Sequence, residues 1–331
     1  MKRIRVNRLV DMEEQDEYMR IEKWLLDVGD VLEFDLYKHA DHSDEKLLFL
    51  EKEHLLSTTV RQMMDGIEHI YIRACDLDAY HRFIDSVVQS VALNTKISIT
   101  KKAAVIYRQA SIVLDEMFHN PEALENVPKS KKVVDGFVTT IFSDAHAIES
   151  LIKITSYDYY THTHSINVCV YSLSLGSYLG LKPKRLEELG VSALLHDLGK
   201  SKIDYAITNK NGHLSVDEFE QMKLHPSYGH AIALKIGIKV IRILDGIRHH
   251  HEKLDGSGYP DKIRGKQITL FPRIIGVCDV FDALSTKRPY KERLSSYESL
   301  RLMKDTMEDH LDMTIVDAFI KMQRHDEILE R

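Results

Sequence analysis

The stretch ALLHDLGK, residues 193–200, places an imidazole and a carboxylate, His196 and Asp197, directly behind apolar residues that read as the end of a buried helix. Polar groups are costly beside such a core unless something binds them. The identity of that partner decides both the fold and the chemistry expected of the chain.

The 331 residues can bury more than one core, and 44% hydrophobic with 29% charged residues is the balance of an ordinary globular protein. A net charge of −6 gives no general attraction for nucleic acid or an anionic membrane. No DNA partner is therefore expected, and an anionic substrate must meet a local basic cluster. No apolar run approaches the roughly eighteen residues of a membrane span. The basic start MKRIRVNRLVDMEE turns acidic rather than apolar, so a cytoplasmic protein is expected. Cys75, Cys169 and Cys278 are isolated thiols, which speaks against a disulfide framework or a thiolate zinc site.

Working outward, the first ninety residues differ from the rest. DVLEFDLY and HIYIRA alternate as strands do, and EKEHLLSTTVRQMMDGI has helical spacing. A small α+β domain is expected over residues 1–90, with a regulatory or dimerising role. His39, Asp41 and His42 fall in KHADHSDEK and read as a solvated loop. Residues 80–117 carry an amphipathic helical pattern, broken at HNPEALENVPKS by two prolines, and 91–130 reads as a helical linker. Beyond Lys131 the periodicity is helical, over 133–154, 162–179, 184–197, 215–224, 227–235, 237–250, 270–286 and 296–307. The expected fold class is mostly α, with an all-helical bundle domain over 131–331.

His164, His196, Asp197, His225, His250, His251 and Asp279 all fall near the ends of these apolar segments. One buried histidine is readily explained by a hydrogen bond. Five apolar segments tipped with such groups leave many buried donors and acceptors, which one metal centre satisfies together. His196 and Asp197 are adjacent and point in different directions, so they suit two ions better than one. The two oxygens of Asp197 can bridge such a pair. Lys200, one turn beyond His196, can reach the same face and hold a phosphate as a point charge.

Three motifs carry a resemblance: HDLGK at 196–200, HHHEKLDGSGYP at 249–260 and DVFDALSTKRPYK at 279–291. In this order they resemble the HD-GYP family, a branch of the HD-domain metal-dependent phosphohydrolases, over about residues 157–319. The resemblance implies an HD-type helical bundle, a site for two or three metal ions and hydrolysis of cyclic di-GMP. By position it assigns His164, His196, Asp197, His225, His250, His251 and Asp279 as metal ligands, with Asp197 and Lys200 as catalytic groups. Lys200, Tyr259, Arg288 and Lys291 match substrate-contacting positions. Gly256 and Gly258 allow a tight turn that shapes the substrate wall with Tyr259, and Gly256 is counted with the substrate-binding set. Glu252 is a candidate for orienting a ligand imidazole, and His249 is expected to face away from the metals.

Members with a third metal carry a glutamate where this chain has Tyr160, and Asp158 points elsewhere, so two ions are expected. Asp204 stands where the family often has proline. Nitrogen and carboxylate donors suit iron, manganese or zinc over magnesium or calcium without choosing among the three; the resemblance implies iron first, with manganese or zinc as alternatives. Two such cations would lower the pKa of a bridging water from about 15.7 towards neutrality. The expected function is a cyclic di-GMP phosphodiesterase that uses a metal-bridged hydroxide and yields pGpG and, onward, GMP. Its alternatives are a phosphodiesterase for a mixed GMP-AMP cyclic dinucleotide, a non-catalytic receptor of such nucleotides, and another HD-type reaction. A homodimer through the amino-terminal domain or the helical linker is a further expectation.

Overall fold

The computed structural model describes residues 18–328 apart from 22, 27, 41–42, 44, 94–97, 145, 156–162, 211 and 287–293. The chain divides into two units at Asn94/Thr95. The first holds strands β1 (Tyr18–Ile21), β2 (Leu36–His39), β3 (Lys46–Leu50) and β4 (Ile70–Arg73), with helices α1 (Thr58–Asp65) and α2 (Leu77–Leu93). The strands form one antiparallel sheet in the order β1-β4-β2-β3. In β4 the alternation is clean: Ile70 and Ile72 are buried, while Tyr71 and Arg73 are half-buried. Helix α1 starts where the Ser57 hydroxyl accepts from the Val60 amide. At its other end Lys23 Nζ donates to the carbonyls of Asp65 and Ile67, at 3.1 and 2.7 Å, which helical bonding leaves open.

Two local expectations are corrected in this unit. Of DVLEFDLY only Leu36 and Tyr37 belong to a strand, and Val31 makes an isolated bridge to Leu55. His39 is on β2 rather than in a loop, with its Nε2 2.7 Å from the Tyr71 hydroxyl. Asp41 and His42 lie outside the described residues.

The second unit is helical among its described residues. Its order is α3 (Ile99–His119), α4 (Asn126–Ser143), α5 (Ala147–Thr155), α6 (Thr163–Tyr178), α7 (Pro183–Leu195), α8 (Tyr205–Thr208), α9 (Val216–Met222), α10 (His225–Lys235), α11 (Ile241–His249), α12 (Leu270–Ser285), α13 (Ser296–Thr306) and α14 (Met313–Ile328). Helix α6 is buried on every face from Ser165 to Gly176, because α3, α4, α5, α7, α12 and α14 all pack against it. A helix surrounded in this way shows little amphipathic contrast. Helix α3 lies within the stretch expected to be a linker. It packs Ala103, Ile106, Tyr107, Ala110, Val113, Leu114 and Met117 into the same core.

Two expected helices are each broken once. The run over 133–154 divides at Asp144, whose backbone is extended and whose Oδ1 accepts from the His146 amide at 2.7 Å. The run over 80–117 divides between Leu93 and Ile99, where Ser98 caps α3 by accepting from the Lys101 amide. Among the described residues no helix is long and apolar enough to cross a membrane.

The site is positioned by the end of α7, where a short turn, Leu198–Lys202, runs against α10. Gly199 faces the His225 carbonyl and the Gly229 amide so closely that a Cβ would overlap both backbones. Backbone cannot move aside as a flexible side chain can, so the missing methyl lets His196 and His225 approach each other. Gly199→Ala should therefore cost about 3 kcal/mol in denaturant unfolding. An unchanged midpoint would contradict this close approach.

Candidate metal centre

Five elements deliver the polar groups. His164 is at the start of α6, His196 and Asp197 follow α7, His225 opens α10, His250 and His251 follow α11, and Asp279 lies within α12. His196, Asp197, His225 and His250 are each at most 4% exposed. The structure brings all seven expected ligands together. One oxygen of Asp197 is 3.2 Å from His225 Nε2. Its other oxygen is 3.4 Å from His196 Nε2 and 3.7 Å from His164 Nε2. Asp279 completes the ring, 3.0 Å from His164 Nε2 and 3.7 Å from His251 Nδ1.

The donor atoms fall into two overlapping sets, Asp197 with His225, His250 and His251, and Asp197 with His164 and His196. Asp197 belongs to both. Within each set every ligand atom is within 4.8 Å of the others.

One local rule orients three of the imidazoles. His196 Nδ1 is 2.7 Å from the Ala193 carbonyl, His225 Nδ1 is 2.8 Å from Met222 O, and His250 Nδ1 is 2.9 Å from Ile247 O. Each partner lies three residues earlier, in the turn at a helix end, where carbonyls lack their regular helical partner. A carbonyl can only accept, so each Nδ1 carries the proton and each neutral ring turns a bare Nε2 inward. His225 Nε2 and His250 Nε2 then stand 3.2 Å apart, two lone pairs facing each other beside a carboxylate oxygen. His196 Nε2 is buried and has no hydrogen-bond partner among the described residues. Buried acceptors converging without a donor cost about 1–3 kcal/mol each. A divalent cation satisfies them all, and imidazole with carboxylate fits a first-row transition ion. The donor set fits such a group.

The electrostatics agree. Burial holds the His196 and His250 imidazoles below their ordinary pKa, for His250 well below, and neighbouring imidazoles add to it. His251 is pushed down to about 3, chiefly by burial. Burial opposes ionisation of Asp197 and Asp279, yet both are held well below the carboxylate range. His196, Lys200 and His225 do this for Asp197, and His164 with His251 for Asp279. Neutral imidazoles beside ionised carboxylates are the forms that bind metal. His164 differs: burial opposes its charge, yet Asp279 and Asp282 raise its pKa to about 9, so an ion bound there displaces a proton.

Lys200 Nζ donates to Asp197 Oδ2, which puts a positive charge on the shared carboxylate. Tyr259 tilts its ring over His251 at 4.8 Å, and burial near Asp279 and Asp197 raises its phenol pKa, so the hydroxyl remains a donor. Gly256 has a φ of +82° in the preceding turn, a conformation that favours glycine. Arg288, Lys291, Asp158 and Tyr160 lie outside the described residues.

Sequence reasoning missed several supporting residues. Asp282 accepts from His164 Nδ1 at 2.6 Å and from Asn167 Nδ2 at 2.9 Å. The available signal was spacing: His164 with Asn167 and Asp279 with Asp282 are both three apart on apolar helices, hence on one face. His249 faces away, as expected, but is tied to Asp245 at 2.6 Å and Asp261 at 2.8 Å. Arg248 also grips Asp261 with two bonds of 2.7 and 2.8 Å. Glu252 accepts from the Asp261 amide at 2.7 Å rather than from a ligand imidazole. These bonds hold the turn that carries Tyr259, and Gly258 packs it directly against the backbone of His251, Glu252 and Lys253.

Comparisons with known proteins converge on the same region. The family model of the HD domain matches residues 147–315. The cyclic di-GMP phosphodiesterase PA4108 of Pseudomonas aeruginosa is 33% identical over 234 residues, covering 70% of this chain and 55% of that protein. The 3'3'-cGAMP-specific phosphodiesterase 3 of Vibrio cholerae is 36% identical over 154 residues, covering 46% of this chain and 33% of its own length. The chain thus spans between a third and just over half of these two relatives. Among solved structures, Bd1817, a HDG"Y"P protein from Bdellovibrio bacteriovorus, superposes with a TM-score of 0.69 at 20% identity, over 95% of this chain and 100% of that one. The fold is shared along nearly the whole length.

Arg248 and His249 hold the Asp261 carboxyl down to about 2. A carboxylate whose folded pKa is depressed contributes stability above its ordinary pKa, near 3.8, and loses it as pH falls towards 2. Asp261 is partly exposed, so Asp261→Asn should lose only about 1 kcal/mol of stability at pH 7. Because Asp261 also raises the His249 pKa, that difference should not fall as pH drops from 7 to about 5, and should shrink below about pH 4. Denaturant unfolding of both chains across this range checks it, and a difference that does not shrink below about pH 4 would contradict the ion pair.

Proposed function

The chain belongs to the HD-domain family, in its HD-GYP branch, and from that premise we propose that it is a metal-dependent phosphodiesterase of cyclic di-GMP, opening a 3'-5' phosphodiester to give pGpG and, onward, GMP. The single observation that carries the reading is Asp197, which among the described residues is shared by two convergent sets of buried and half-buried imidazoles. A receptor that only bound the nucleotide would gain nothing from this arrangement.

We assign His164, His196 and Asp197 to hold one ion, Asp197, His225, His250 and His251 to hold the second, and Asp279 to close the ring between His164 and His251. Iron is the first choice, with manganese or zinc as alternatives. Two ions so held lower the pKa of water and neutralise charge on a phosphoryl group when bound. The chain's own residues supply the rest. Asp197 keeps both donor sets in register, since each oxygen faces a different set. Lys200 sets a cation beside that carboxylate, at the edge of the site where a substrate phosphate arrives. The Tyr259 hydroxyl stays protonated and offers a hydrogen bond from the wall, on a turn shaped by Gly256 and clamped through Asp261. Arg288 and Lys291 add positive charge for a dianionic substrate in a chain whose net charge is −6. The amino-terminal unit is assigned a regulatory or dimerising role.

A second reading has its own support. One relative is described as specific for 3'3'-cGAMP, so a mixed cyclic dinucleotide is the rival substrate. Product chromatography after anaerobic metal loading decides between them. The wild-type chain should turn over cyclic di-GMP faster than the mixed dinucleotide. Asp197→Ala should lose both metal and turnover, and Lys200→Ala should keep its metal with kcat about a hundredfold lower. Turnover surviving in Asp197→Ala would overturn the reading.

A further inference from the structure

Four bonded groups run from α3 to the candidate metal centre. The Tyr107 hydroxyl on α3 donates to Asn167 Oδ1 on α6 at 2.6 Å. Asn167 Nδ2 donates to Asp282 Oδ1 on α12 at 2.9 Å, and His164 Nδ1 donates to Asp282 Oδ2 at 2.6 Å. Thr286 Oγ1 also donates to Asp282 Oδ1, at 3.1 Å. Tyr107, Asn167 and Asp282 are each at most 3% exposed.

The order of donors fixes the whole chain. Asn167 must give its NH2 to the carboxylate, so its oxygen must face Tyr107, and the tyrosine must donate. Asp282 then has both oxygens engaged and accepts from Nδ1 of His164, whose Nε2 is left facing Asp197 and Asp279. His196, His225 and His250 are oriented by carbonyls of their own helical turns. His164 is oriented by side chains from α6 and α12, with α3 fixing the last of them. Its orientation therefore depends on how three helices pack, where the other three imidazoles depend on one turn each.

We propose that Tyr107 and Asn167 are positioning residues for His164, acting through Asp282, and that α3 thereby sets how tightly the ion on the His164 side is held. The proposal rests on the metal-centre reading above. Partners of a metal-bound imidazole fix its tautomer and ring orientation, and their loss costs about 10–100-fold in metal affinity. A tyrosine that only filled the core would change both ions alike or neither.

The test is anaerobic titration of the metal-free full-length chain with Mn2+, against a competing chelator, for wild type, Tyr107→Phe, Asn167→Ala, His164→Ala and the Tyr107→Phe/Asn167→Ala double variant. Melting of each metal-free chain is followed in parallel. Wild type should take up two ions. Tyr107→Phe should weaken one of them about tenfold, and Asn167→Ala should weaken the same ion by at least as much. The affected ion should be the one His164→Ala loses, with the other unchanged. The double variant should be no weaker than Asn167→Ala alone, because both act through one chain of bonds. Unchanged affinities, or equal weakening of both ions alongside a lower melting temperature, would overturn the proposal and leave the metal centre standing. A wild-type chain that binds no Mn2+ would overturn the metal centre and the proposal with it.

Discussion

Convergence of lone pairs in a space that water barely reaches is the constraint from which the helical unit follows. His225 Nε2 and His250 Nε2 face each other at 3.2 Å, His196 Nε2 has no partner among the described residues, and Asp197 stands between both groups of imidazoles. A bound cation balances such an arrangement at a stroke. The scaffold is built to impose it. α7 and α11 end at His196 and His250, α10 begins at His225, and in each case the ring's other nitrogen bonds a carbonyl three residues earlier, for His225 the last residue of α9. A helix terminus thus orients a ligand: the end of α7 for His196, the end of α11 for His250, and the end of the preceding α9 for His225.

The surroundings make that geometry stiff. Helix α6 is enclosed by neighbours on all sides, and Gly199 lets two backbones approach more closely than any side chain would allow. On the opposite wall Asp245, His249, Asp261, Arg248 and Glu252 clamp the turn bearing Tyr259, so the ring lies over His251. Charge is distributed accordingly: His196, His250 and His251 held towards the neutral form by burial, His164 held towards the charged form by Asp279 and Asp282, carboxylates kept ionised by their neighbours, and one lysine at the rim.

Much of this was legible in the sequence, for reasons that also explain what was not. Histidine and aspartate at the ends of apolar helices stand out because burial makes them conspicuous, and all seven expected ligands converge. Helices such as α7, α11 and α12 were readable because periodicity is bounded by Pro183, Gly237 and Thr286. The break at Asp144 was not, because the apolar pattern continues across it while a side chain bonds the backbone. Strands β1 and β3 carry no alternation to read: β3 is half-buried through Lys46, Leu47 and Leu48 and then buried at both Phe49 and Leu50, and β1 is buried only at Ile21. Asn167 and Asp282 were overlooked because their partners come from other helices, over sequence separations of 60 and 115 to 118 residues. Local pattern carries no such information. Glu252 has a similar history, since its partner Asp261 lies across a loop closure.

Anomalous diffraction at the absorption edge of the bound metal, on crystals of the anaerobically loaded chain, addresses the central claim most directly. Two peaks about 3.5–4 Å apart, one against each oxygen of Asp197, are the predicted result. A single peak, or two that do not share Asp197, would contradict it.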